Sequence, residues 1–118
     1  VRLLICGGRD LDEVKAIEVI LEWISHFAPS TIDHIIQGGA RGGDRAGRAV
    51  ADMLGIPQTE YAADWERHGK SAGPRRNRIM LTEGNPDAIL ALSGGTGTAN
   101  MKQIARAAGI PVFELECK

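Results

Sequence analysis

Two stretches decide the fold of this chain: residues 32–61, IDHIIQGGARGGDRAGRAVADMLGIPQTEY, and residues 87–116, DAILALSGGTGTANMKQIARAAGIPVFELE. Each opens with a short aliphatic run, passes through a double glycine and continues at helical spacing. Each then reaches Gly-Ile-Pro before a second apolar segment. The punctuation is Gly38-Gly39 and Gly55-Ile56-Pro57 in the first, Gly94-Gly95 and Gly109-Ile110-Pro111 in the second. The pattern reads as strand, glycine turn, helix, capping glycine, strand, a βαβ unit used twice. Such units produce parallel strands, right-handed crossovers and helices on both sheet faces.

Working outward, Leu3 to Cys6 is a continuous apolar run, as in a strand covered on both faces. Asp10 with Glu13 resembles a capping box, followed by Val14, Ile17, Leu21, Ile24 and Ala28 at helical spacing and a stop at Pro29. Ile32 to Gln37 makes the second strand. The helix from Asp44 carries Ala46, Ala49, Val50, Met53 and Leu54 on one face. Pro57 to Tyr61 suits a short edge strand. Residues 62–72 read as a polar loop, and Pro74 sits in the first turn of a helix running to about Glu83. Asp87 to Leu92, Thr98 to Ala108 and Val112 to Glu116 complete the pattern as strand, helix and strand. The expectation is one Rossmann-like α/β domain over residues 1–118, with a five-stranded parallel sheet in the order 3-2-1-4-5. Its ligand crevice should lie where that order reverses, between the first and fourth strands.

Composition narrows the function classes. The 118 residues carry a net charge of −1, against a dedicated duplex-DNA binder with its clear basic excess. Cys6 and Cys117 stand near opposite ends of the chain in no metal-ligand spacing, and a disulfide is not expected. His26, His34 and His68 likewise show no ligand spacing, so no metal and no cofactor are expected. No apolar run approaches a membrane span, and residence in the cytoplasm follows by default.

Glycine is the unusual residue. Of fifteen, ten fall in three clusters: Gly7-Gly8; Gly38-Gly39, Gly42-Gly43 and Gly47; Gly94-Gly95 and Gly97. In a parallel sheet all strand-to-helix turns leave at one edge, so these clusters should converge. Each then offers helix N-terminal amides and the positive end of a dipole, which suits a phosphate. The bland alternative is that the glycines only permit tight turns and close contacts. The binding reading requires amides from separate turns to gather around one anion without being filled by the protein's own carboxylates. No Gly-x-Gly-x-x-Gly follows the first strand and no Walker loop surrounds Lys70, so neither a dinucleotide fold signature nor a P-loop is indicated.

Between residues 67 and 78 lie Arg67, His68, Lys70, Arg75, Arg76 and Arg78 without an acid. Arg67 and Arg78 read as solvated. Arg76 can fork onto a phosphate, and Asn77 can donate to a sugar or base. Asp64-Trp65 offers a carboxylate beside an aromatic plate. The expected ligand-binding set is Gly7, Gly8, Arg9, Gly38, Gly39, Arg41, Gly43, Asp44, Asp64, Trp65, Lys70, Arg76, Asn77, Gly94, Gly95, Gly97 and Thr98.

Four ordered motifs carry a family resemblance: Gly7-Gly8-Arg9; Gly38-Gly39-Ala40-Arg41-Gly42-Gly43-Asp44; Asp64-Trp65 with Gly69-Lys70-x-Ala72-Gly73-Pro74-x-Arg76-Asn77-x-x-Met80; and Gly94-Gly95-x-Gly97-Thr98. Together they resemble the YspA-like branch of the SLOG superfamily, across nearly the whole chain. The resemblance implies a Rossmann-like binder of nucleotide-derived ligands, akin to the lonely-guy phosphoribohydrolases and related to the DNA-processing protein DprA. Those hydrolases carry Pro-Gly-Gly-x-Gly-Thr-x-x-Glu with a catalytic glutamate, and an Arg-Lys-x-x-Met motif. Here Ser93 replaces the proline, Met101 the glutamate and Asn77 the lysine.

The leading expectation is therefore a nucleotide or nucleotide-derived small molecule bound by a sensor or binding component. Glycosidic cleavage is the second reading, with Arg76 and either Asp44 or Asp64 as the candidate catalytic groups. A positioned carboxylate supplies such chemistry and methionine does not. Single-stranded nucleic acid along residues 67–78 ranks third, because an aromatic fraction of 4% makes a poor stacking platform. The resemblance also implies homo-oligomers assembled through helices. Trp23 and Phe27, beside the core stripe of the first helix, either meet a partner or widen the buried face.

Overall fold

The computed structural model describes residues 1–26 and 31–117. Its strands are β1 (Arg2–Cys6), β2 (His34–Gln37), β3 (Gln58–Glu60), β4 (Ala88–Leu92) and β5 (Val112–Leu115). They form one sheet in the order β3-β2-β1-β4-β5, every neighbouring pair parallel. The expected strand order is the observed one. The helices are α1 (Glu13–His26), α2 (Gly43–Leu54), α3 (Trp65–His68), α4 (Ala72–Gly84) and α5 (Thr96–Ala107).

Alternation along the central strands splits the core in two. Leu3, Ile5, Ile35, Leu90 and Leu92 meet α1 and α2 on one face. Leu4, Cys6, Ile36, Ile89 and Ala91 meet Met80 of α4 and Met101 and Ala105 of α5 on the other. β1 and β4 are buried on both faces at four and five positions respectively, which is why their sequences are unbroken aliphatic runs. Cys6 and Cys117 are free thiols in the two separate clusters.

Several local expectations need correction. Asp12, not Asp10, caps α1, its Oδ1 accepting from the N–H groups of Val14 (2.9 Å) and Lys15 (3.2 Å). Glu13 closes no capping box; it reaches across to accept from the Gly42 N–H at 3.1 Å. The buried face of α1 is Ala16, Ile20 and Ile24, whereas Val14 is exposed. Aliphatic residues cover much of this helix, and the sheet selects the face on which alanine permits close approach. Met53 and Leu54 of α2 are likewise exposed. The loop 62–72 contains α3 and a 3₁₀ turn, Gly69–Ser71. Trp23 packs within the chain, its ring centroid 5.6 Å from that of Phe113 on β5. Phe27, Ala28 and Pro29 lie outside the described residues.

At the carboxyl edge of the sheet three turns pass in backbone contact. The Gly8 N–H donates to the Ser93 carbonyl at 2.9 Å, and the Gly8 carbonyl accepts from the Gly43 N–H at 3.2 Å. A Cβ at Gly43 would overlap the Gly7 backbone, and one at Gly42 would overlap the Gly8 carbonyl at a φ of +80°. Backbone cannot yield as a flexible side chain does. Gly43→Ala is therefore expected to lose about 1–3 kcal/mol or more of stability, measured by urea unfolding. Wild-type stability in that variant would show the contact to be unimportant.

Candidate functional site

Below that knot, between the ends of β1 and β4, opens a cleft of about 780 Å³. It lies at the predicted switch point, where strand order leaves the turns on either side diverging. The turn after β1 supplies Gly7, Gly8, Arg9 and Asp10, and the turn into α5 supplies Gly94, Gly95, Gly97 and Thr98. Trp65, Lys70, Arg76 and Asn77 come from α3, the 3₁₀ turn and α4, and Asp44 from the first turn of α2. A smaller annex of about 260 Å³ shares Arg9, Trp65 and Arg76 with the cleft and adds Gly38, Gly39 and Arg41. Of the expected set, Gly43 and Asp64 line neither. Gly43 makes the backbone contact described above. Asp64 caps α3 by accepting from the Arg67 N–H at 3.1 Å.

The two long glycine turns turn out to be chemically different. The one after β2 is closed on itself. Gly39 N–H donates to Gln37 Oε1 at 2.6 Å, Gly42 N–H to Glu13, and Ala40 N–H to Asp44 Oδ2 at 3.4 Å. Arg45 N–H pairs with the Ala40 carbonyl. The backbone of Gly38 and Gly7 also favours the Asp44 carboxylate. This turn thus cradles an anion, and the anion is the protein's own Asp44. The expected phosphate cradle at Gly38-Gly39 is not the arrangement found.

The turn after β4 is open. α5 has Gly95 at its N-cap with no side-chain cap. Its first backbone bond runs from Ala99 N–H to the Gly95 carbonyl at 3.0 Å. Among the described residues, the N–H groups of Thr96, Gly97 and Thr98 have no acceptor within the protein, and all three residues line the cleft.

Arg76 and Asn77 brace this arrangement. Arg76 donates through Nη1 to the Gly38 carbonyl at 2.7 Å and through Nε to Asn77 Oδ1 at 3.0 Å. Asn77 is buried, and its Nδ2 donates to the Gly97 carbonyl at 3.2 Å and Asn100 Oδ1 at 3.0 Å. Asn77 therefore spends its amide joining α4 to α5 rather than presenting it to a sugar or base. Arg9 stacks on Trp65, its guanidinium carbon 4.9 Å from the ring centroid, and the pair walls one side. Lys70 is exposed at the rim.

The floor is apolar and rich in sulfur: Cys6, Met80 and Met101. Met101, at the hydrolases' glutamate position, is 1% exposed and packed in the core. Burial pushes the Cys6 thiol up to about 12, with the Asp44 charge adding to the effect, so it is protonated and unreactive. Asp10, Leu11 and Thr96 also line the cleft. The sequence offered little sign of them, since Asp10 reads as a cap and Thr96 occupies the variable place in its motif. No group of three or more potential metal ligands occurs among the described residues. No helix there is long and apolar enough to cross a membrane.

Asp44 is 5% exposed, and its pKa is raised to about 6. Burial is the main cause, opposed by the Arg76 charge and by the backbone of Ala40, Gly38 and Gly7. A carboxyl raised in the folded state binds more protons there than when unfolded. Its contribution to stability is therefore full below the unfolded value and lost as pH rises from about 4 through about 6. Relative to Asp44→Asn, the wild type is expected to lose on the order of 1–3 kcal/mol across that window, read from urea unfolding at each pH. In Arg76→Met the carboxyl titration, followed by carbon NMR, should move further up. A downward move would contradict the assigned coupling.

A family model described as YAcAr, the YspA, cpYpsA-related SLOG family, matches residues 1–68, which carry the first two glycine turns and α3. The Gene 61 protein of Mycobacterium phage D29 is 34% identical over 119 residues, covering 95% of this chain and 94% of that protein. The match to the family model and the paired glycine turns on a 3-2-1-4-5 sheet agree: this chain belongs to the YspA, cpYpsA-related SLOG family.

Proposed function

We propose that the cleft binds a nucleotide or nucleotide-derived ligand, and that the chain acts as a sensor or binding component. Family membership suggests nucleotide-derived ligands in general. The observation that carries the finer reading is the unpaired first turn of α5 opening onto a cleft that Arg76 and Lys70 also line. A phosphate there would accept from Thr96, Gly97 and Thr98 N–H groups and be neutralised by the cations. The apolar floor of Met80 and Met101 offers a surface for a base, and the carboxylates of Asp10 and Asp44 are acceptors for ribose hydroxyls.

Gly97→Ala separates this role from a purely structural one. A Cβ at Gly97 meets no protein atom within 4 Å. Replacing this helical glycine should therefore raise stability by roughly 0.5–1 kcal/mol. The same methyl would stand where the phosphate is proposed to lie. Thermal-shift measurements against mono-, di- and cyclic nucleotides, ADP-ribose and NAD should show wild-type stabilisation by about 2.7 kcal/mol at a hundredfold excess over Kd. That shift should be lost in Gly97→Ala and Arg76→Ala. Equal ligand shifts in Gly97→Ala and wild type would remove the phosphate from this turn.

One observation favours a second reading, cleavage of a nucleotide N-glycosidic bond. Asp44 lines the cleft with its pKa raised to about 6, a range suited to general acid–base work. Incubation with purine nucleoside monophosphates would then release free base, and Asp44→Asn would abolish the release. Intact nucleotide after prolonged incubation would leave binding as the function.

A further inference from the structure

The annex beside the main cleft is lined by four arginines, Arg9, Arg41, Arg45 and Arg76, together with Trp65. Its remaining lining among the described residues is Gly38, Gly39 and three alanines, none of which brings a carboxylate. Among the described residues, none of the four arginines has an acidic group within 4 Å, whereas Arg48, one turn after Arg45, is paired with Glu60. The nearest acid to Gly39 is that same Glu60, already held by Gln37 and Arg48.

These cations are placed against the interests of the fold. Arg41 and Arg45 flank the N-terminus of α2, where the helix dipole disfavours positive charge. Burial lowers the Arg76 pKa and the Arg9 charge adds to that, against the opposing charge of Asp44. Arg9 is nevertheless held in place by its stack on Trp65. Solvated surface arginines normally spread apart. A concave group of four around small residues is the arrangement that an oxyanion stabilises.

We infer that the annex is a second anion site, for a phosphate distinct from the one at α5, and that the ligand is a nucleotide bearing two separate phosphate groups. The inference deepens the proposed function and rests on it for the nucleotide, though not for the anion site itself. Arg9, Trp65 and Arg76 form the shared wall over which such a ligand passes from cleft to annex.

The test uses the full chain and its Arg41→Gln/Arg45→Gln variant. Because both arginines oppose the α2 dipole, the variant should fold with stability equal to or above wild type. Inorganic phosphate is titrated while NMR follows the Arg41 and Arg45 Nε–H signals and, separately, the Thr96, Gly97 and Thr98 amides. Saturable shifts of the arginine signals support the annex. Absent or non-saturating shifts there overturn it, whatever the α5 amides do. Failure of the α5 amides alone would instead count against the proposed function.

Adenosine and guanosine 3′,5′-bisphosphates are then compared with the corresponding 5′-monophosphates by calorimetry. The bisphosphate with the preferred base should bind wild type roughly tenfold or more tightly than its monophosphate, and the variant should lose that preference. Equal binding of the two in wild type would overturn the two-phosphate ligand.

Discussion

The backbone of Gly8 is the joint on which the rest of the structure depends. Its N–H reaches the turn after β4 and its carbonyl receives the turn after β2. Three strand-to-helix turns are thereby held in backbone contact, which only residues without a Cβ allow at these positions. That contact sets the starting points of α2 and α5 relative to β1. The shape of the cleft and the direction of the exposed α5 amides follow from those starting points.

Within this knot the protein handles charge asymmetrically. One helix N-terminus, that of α2, is filled from inside: Asp44 occupies the amide concavity, and backbone carbonyls take the amides of Gly43, Arg45 and Ala46. The other, that of α5, is left open to the cleft. Arg76 stands between them, compensating Asp44 on one side and facing the cleft on the other. The carboxylate accepts from the inward-facing amide of Ala40, so that amide is not offered to the cleft. Arg76 is held by the carbonyls of Gly38 and Tyr61 and by Asn77. The amides at the start of α5 stay open to the cleft, and Arg9, Arg41 and Arg45 line a separate annex.

The apolar floor bears on chemistry. Where the sequence resemblance to the phosphoribohydrolases would set a glutamate, Met101 packs into the core with Met80 and Cys6. Its burial makes the replacement part of the sheet-covering layer rather than a vacancy open to water. The carboxylates left in the cleft are Asp10 at the mouth and Asp44 in the wall. They stand on the turn after β1 and on α2, whereas Met101 stands on α5.

The sequence alone determined the strands, their order and the place of the crevice. Repeated glycine-turn βαβ units with right-handed crossovers leave few other topologies. It also identified most residues of the cleft, because glycines at strand ends and an arginine opening a helix are local signals. Asp64 and Asn77 were legible as polar residues beside the site but not in their duties, one a helix cap and the other a brace between α4 and α5. Only the tertiary structure decided which aliphatic face of α1 is buried, and which glycine turn stays open. Both depend on what lies across from a residue: Ala16 against the sheet, Asp44 beneath Gly38. The chemistry of an amide is settled by whether an acceptor from elsewhere in the chain reaches it first. Spacing along the chain carries no record of that competition.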